Sequence, residues 1–243
     1  MKKTFIFSIM LAASLSGLAQ KGFILSHLDK AGYLNLSGGL ALPTASLMKG
    51  EAAAPSDLSA FRGTSFQVSM GYRIGRHWGV VMNLTNCIND GNTRPLLENL
   101  EKSQLGTNWT AKTGTWNCSH LMAGPSYTIN AGRWMFDQRL TAGYSWIERP
   151  YTDLTGKYYQ FDLGVQTSSG KSKSFTAGIG TSVRYKIGRN IALAVHADYL
   201  TTRATFNGIE STITMGTDQA TEPVREVKAM GILSLNGGLS LLF

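Results

Sequence analysis

Apolar and polar residues alternate along most of this chain. In TSFQVSMGYRI, Phe66, Val68, Met70, Tyr72 and Ile74 take one face of an extended strand; Ser65, Gln67, Ser69, Gly71 and Arg73 take the other. WGVVMNL sets Trp78, Val80, Met82 and Leu84 against Gly79, Val81 and Asn83. FTAGIGTSVRYKI repeats the pattern from Phe175 to Ile187. This period of two predicts strands at about 31–42, 63–74, 77–88, 114–130, 133–148, 173–187, 190–205 and 227–243.

The connections carry as much information as the strands. Three are tight and alike: YRIGRHW, YTINAGRWMF and YKIGRNI, each an aromatic, an apolar stretch and Gly-Arg before the next strand. The other four, 43–62, 89–113, 149–172 and 206–226, are long. Short and long alternate strictly. An up-and-down barrel threaded this way has its short turns on one rim and its long loops on the other. A hairpin hidden in 149–172, around YYQFDLGV, would raise the strand count from eight to ten.

The front end reads differently. MKKTFIFSIMLAASLSGLAQ has two lysines, an apolar run and small residues at Gly17 and Ala19. That predicts a signal peptide over 1–19, cut after Ala19 with Gln20 as the neighbouring alternative; the rival is a membrane-anchoring helix. The expected domain is then 20–243. It has no apolar run long enough for a transmembrane helix, so a membrane crossing requires a closed sheet. The full chain carries 23 Lys+Arg against 15 Asp+Glu, net +8. The basic residues are not interleaved with aromatics in one patch, so anionic lipid is the expected partner and nucleic acid is not.

A water-soluble barrel of the lipocalin kind also alternates, with its apolar set inward. Three features favour lipid outside. One is the regular loop asymmetry. Another is the placing of aromatics near strand ends: Tyr72, Trp78, Tyr127, Trp134, Tyr185 and Phe243 toward the short-turn rim, and Tyr144, Trp146, Phe175 and Tyr199 toward the other. The third is the final strand LSLNGGLSLLF, which puts Leu235, Gly237, Leu239, Leu241 and Phe243 on one face and stops on Phe243. The expected fold is all-β: an eight-stranded antiparallel up-and-down transmembrane β-barrel.

With that pattern, and with GLSLLF at its end, the chain resembles the small, porin-like outer-membrane β-barrel family of diderm bacteria. The resemblance implies a cell outer membrane location, outer-membrane lipids as surroundings, and recognition by the barrel-assembly machinery. The residues it assigns to that recognition are Leu239, Leu241 and Phe243, with Leu235 before them; Gly237 departs from the family pattern.

With the apolar set outward, Arg73, Asp137, Arg139, Arg184, Lys186, His196 and Asp198 point into the barrel. Asp137 and Arg184 fall at similar heights on neighbouring strands, which predicts an interior ion pair. The interior of so narrow a barrel is expected to be a structural network rather than an ion path. Cys87 and Cys118 share the inward parity at similar heights on adjacent strands. That allows a cross-strand disulfide in an exported protein, with two free thiols as the alternative.

His196 and Asp198 supply at most two members of a hydrolytic set, and no nucleophile stands out. No catalytic, cofactor or metal residues are assigned. The loop 205–228 is acidic and 149–174 basic, and Arg76, Arg133 and Arg189 make a basic ring of short turns. The leading expectation is a monomeric, non-catalytic barrel that is structural or binds an external ligand or partner through its long loops. A narrow channel for small solutes or ions is second, and a lipid-modifying enzyme third.

Overall fold

The computed structural model describes residues 30–44, 58–102, 107–159 and 161–243. The signal peptide expected over 1–19 lies outside them. Among the described residues, eleven antiparallel strands and one helix follow in chain order: β1 (Gly32–Pro43), β2 (Ser59–Arg73), β3 (Trp78–Asn92), α1 (Arg94–Lys102), β4 (Thr107–Thr113), β5 (Thr115–Ala131), β6 (Trp134–Arg149), β7 (Thr152–Tyr158), β8 (Phe161–Thr167), β9 (Gly170–Lys186), β10 (Ile191–Met215) and β11 (Asp218–Leu242).

Eight of them close a ring in the order β1-β2-β3-β5-β6-β9-β10-β11, and β11 pairs back onto β1. Neighbours in the ring follow one another along the chain, an up-and-down order. Gly32 and Phe243 close the seam by donating to each other's carbonyls, at 2.8 and 3.0 Å. The ring is staggered. The row through His196 reaches Thr128 of β5 by way of Ser182 and Asp137. The other way, through Asn236, Gly39, Ser65 and Cys87, it reaches Cys118 of the same strand, ten residues away. For eight strands that offset corresponds to a tilt of about 40°.

The two faces are inverted relative to a water-soluble barrel. Leu36, Phe66, Leu140, Val195, Leu239 and Leu241 stand exposed on the outside, while Asn35, Gln67, Ser69, Asn83, Asp137, Arg139 and His196 are buried inside. An apolar outer wall around a polar interior is what lipid contact requires. Aromatics edge the short-turn rim, where Trp78 packs edge-on against Tyr127 and Trp134 lies tilted against Tyr185. The interior is apolar near its ends. Tyr33, Val81, Met135, Ala192 and Leu242 pack at the short-turn end. A larger cluster with Trp116, Phe206, Ile147, Met230 and Ile232 fills the other end.

The long connections depart from the expectation of loops. The segment expected as a loop at 206–226 is mostly strand: β10 and β11 run on to a tight turn at Gly216, which has φ +62°. A register shift between Phe206 and Ile209 accompanies the extension, with Gly208 at φ +71°. The segment 149–172 does hold a hairpin, β7–β8, but β8 pairs with the β10 extension instead of entering the ring. β4 then adds to β7. The result is an external sheet, β4-β7-β8-β10-β11, beyond the long-loop rim. Helix α1 covers part of one face. Its Leu96 and Leu100, four residues apart and so on one side, pack with Leu154, Trp109, Ala111 and Val165.

Candidate functional site

Two buried ion pairs organise the ring interior. Arg184 grips Asp137 with two donors, Nε at 2.9 Å and Nη2 at 2.7 Å. Thr128 and Ser182 donate to the same carboxylate at 2.6 and 3.0 Å. The Arg184 guanidinium lies 3.7 Å from the centre of the Tyr33 ring. Arg139 grips Asp198 in the same manner, at 2.8 and 2.7 Å, and donates to Ser182 at 3.1 Å. Gln67 adds a bond to Asp198 at 3.0 Å and accepts one from Asn236 at 3.2 Å; Ser65 bonds Asn236 in turn. One connected network therefore runs from Tyr33 to Ser65, with its two guanidiniums matched by two carboxylates. Charges removed from water need this pairing and extra donors to offset desolvation.

The other interior candidates lie around it. Arg73 donates to the Lys30 carbonyl at 2.6 Å at the short-turn rim. His196 does not join Asp198, its neighbour along the strand. Its Nδ1 faces Arg139, 3.4 Å from both terminal nitrogens. The Asp198 oxygens are already occupied by Arg139 and Gln67. His120 Nδ1 lies 2.5 Å from Ser145 Oγ, which also contacts Thr176. This His–Ser contact was not singled out by sequence, and both residues are fully buried.

Cys87 stands directly opposite Cys118, on the inward face. Both are free thiols in the structure, so the sequence-level pairing exists as a juxtaposition and not as a bond. Gly91 donates to Gly114 and Thr128 to His77 along the same strand pair, and the two-residue alternation puts Cys87 and Cys118 at a hydrogen-bonded position. Side chains are farther apart there than at the intervening positions.

At the outer end the packed cluster is capped by charge. Arg149 Nε is 2.9 Å from Glu226 Oε2, and Lys228 donates to the Leu58 carbonyl at 2.5 Å while lying 5.4 Å from the Trp116 ring centre. The basic 149–174 segment and the acidic 205–228 segment are thus joined by an ion pair under the external sheet. Beneath it, the gap bounded by Cys118, His120, Ile147 and Met230 has no room for a water molecule.

Further out, the face of the external sheet opposite α1 is polar. Thr221, Thr212, Gln166, Asp153 and Lys112 follow one another across its five strands. A cleft of about 300 Å³ lies at its foot, among Thr115, Glu148, Tyr151, Ser169 and Lys171.

The chain is similar to several proteins of known structure. Neisserial surface protein A is 15% identical, covering 87% of this chain and 97% of that one, with a TM-score of 0.46. Ail, the attachment invasion locus protein of Yersinia pestis, is 12% identical over 87% and 99%, at 0.41. A major outer membrane protein from Thermus thermophilus is 10% identical over 88% and 100%, at 0.48. No curated protein matches the chain. The family described as outer membrane protein beta-barrel domain matches residues 5–219, most of the sequence. With its apolar-out ring, the chain belongs to that family and resides in the cell outer membrane.

Proposed function

We propose that this protein is a monomeric, non-catalytic eight-stranded up-and-down barrel that crosses the outer membrane and works through its external sheet, by binding a ligand or partner outside the cell. The observation that carries the reading is the contrast between the two ends of the long-loop half. Inside the ring, Trp116, Phe206, Ile147 and Met230 close the path. Outside it, five strands and α1 build a platform with an apolar core of its own. Rigid scaffolds that hold exposed polar surface are where binding resides. The partners on this reading are outer-membrane lipids, an external ligand, and the barrel-assembly machinery, which reads Leu239 and Leu241 on the outward face of β11 and Phe243 just after it.

The packed interior weighs against a narrow channel. Catalysis is disfavoured by the setting of the two histidines buried in the ring. His196 is held against Arg139, and the His120–Ser145 contact is sealed from substrate. The test is refolding of the full chain into a planar bilayer, with insertion followed by the gel shift between unboiled and boiled samples. A shifted band without current steps is the expected result. Discrete steps would replace this reading with the channel, and the absence of a shifted band would overturn the membrane-spanning barrel itself.

A further inference from the structure

Three side chains with soft or borderline metal-binding atoms border one gap inside the ring: Cys118, His120 and Met230. Ile147, Leu200 and Ile232 line most of the remainder, and all six are buried. Cys118 and His120 are two residues apart on β5 and so share its inward face. Met230 comes from β11, and β1, β2 and β3 stand between those two strands in the ring. Cys87 faces Cys118 from β3 but lies outside this lining.

His120 has one ring nitrogen unused. Its Nδ1 lies 2.5 Å from Ser145 Oγ, which also contacts Thr176. Its Nε2 has no hydrogen-bond partner, although the residue is only 2% exposed. A buried polar atom left unpaired costs free energy. With Nδ1 protonated and donating to Ser145, Nε2 carries the lone pair, which is the tautomer a metal-bound histidine takes.

The donors select the ion. Thiolate and thioether are soft ligands that favour copper(I), and imidazole suits copper as well. Among the described residues no three of His, Cys, Asp and Glu gather closely enough to hold a metal, so the four-donor set of a structural zinc is not built. The gap has no room for a water molecule to complete a larger coordination shell. Charge points the same way. Copper(I) with one thiolate is neutral, whereas a divalent ion would leave positive charge among Ile147, Leu200 and Ile232.

We propose that Cys118, His120 and Met230 form a buried copper(I) site that ties β5 to β11 across the ring. The ion takes the place of the Cys118 thiol proton, which passes to water, and the copper stays in its +1 state throughout. The packed cluster around Trp116 and Phe206 closes the outer end of the interior, so the ion enters while the chain folds.

The experiment refolds the full chain from urea into detergent without oxygen, with ascorbate and equimolar copper(I), and then adds a water-soluble copper(I) chelator. The shifted gel band checks folding, and native mass spectrometry counts copper. Wild-type protein is expected to retain one copper, with sulfur and nitrogen neighbours in its X-ray absorption spectrum. Cys118→Ser is expected to lose it. Met230→Leu and His120→Asn, both close to the original in shape, are expected to lower retention at least tenfold. Met135→Leu, the same exchange at the short-turn end, and Cys87→Ser are expected to keep it. Copper should raise the urea midpoint of the wild type and leave that of Met230→Leu unchanged, because an ion bound only by the folded chain stabilises it. If Cys118→Ser gives no shifted band, Met230→Leu and His120→Asn decide. Wild-type protein that holds no copper overturns the proposal. So does retention by both of those variants equal to wild type, which would mean thiols alone hold the metal, or a loss with Cys87→Ser as large as with Cys118→Ser. Preferential retention of zinc overturns the copper assignment.

Discussion

Arg139 on β6 reaches Asp198 on β10 by passing over the intervening strand β9 at Gly180. A Cβ added to Gly180 would lie 1.9 Å from Asp198 Oδ1 and 2.7 Å from Arg139 Nε. The glycine is thus the window through which two non-adjacent strands exchange a buried ion pair. Gly180→Ala is expected to break it and cost about 3 kcal/mol, the scale of leaving one buried charge unpaired. Urea titration of the refolded protein, followed by loss of the shifted gel band, reads this directly.

Asp137 and Arg184 offer a cleaner case, since each is buried and each is the other's main partner. Asp137→Ala and Arg184→Ala are each expected to destabilise by about 3 to 5 kcal/mol. The double substitution should cost clearly less than their sum, because it leaves no orphaned charge. A double-mutant cycle in urea supplies the coupling. Additive costs would show that the pair does not act as a unit.

Cys87 and Cys118 are 0% and 1% exposed. Folded protein in detergent is expected to resist a water-soluble maleimide, and protein unfolded in urea to take two labels, counted by mass. Rapid labelling of the folded protein would contradict the packed outer plug. Resistance that persists in urea until a reductant is added would reveal a bond between the two sulfurs.

Trp116 and Phe206 meet edge to face, with centres 6.1 Å apart, and both are fully buried in that plug. Phe206→Ala is expected to cost about 3 to 5 kcal/mol, by lost burial and the cavity left behind. Trp116→Ala should cost at least as much, because it also removes the bond to the Ser59 carbonyl and the ring under Lys228. Both costs are read from the urea midpoint.

The apolar outer wall and its polar lining were legible from Phe66 against Gln67, or Leu239 against Ser240, because a strand's two faces separate at a period of two whatever its neighbours do. Asp137 and Arg184 could be matched from sequence because they lie on strands joined by one long connection and share a height. The pairing of Arg139 with Asp198 could not. It spans two strand steps, and the only sequence signal was Gly178 and Gly180 at the inward parity of β9. The external sheet was missed for another reason. Beyond the buried Phe206 and Ile209, most residues of FNGIESTITMGTDQATEPV are exposed or only partly buried on both faces, so the stretch loses the apolar alternation that marks a strand, although β10 and β11 continue through it.

By itself, the sequence determined which side of each ring strand is the apolar outer one, how the strands follow one another, and which charges are forced inward. These are local consequences of alternation and of turn length. Only the tertiary structure decided the ten-residue stagger of the ring, which sets Arg139 against Asp198 and not His196 against Asp198, and Cys87 opposite Cys118. It also decided that β7 and β8 join the β10 extension outside the ring. Register and closure depend on how all eight ring strands fit at once, and no single segment carries that information.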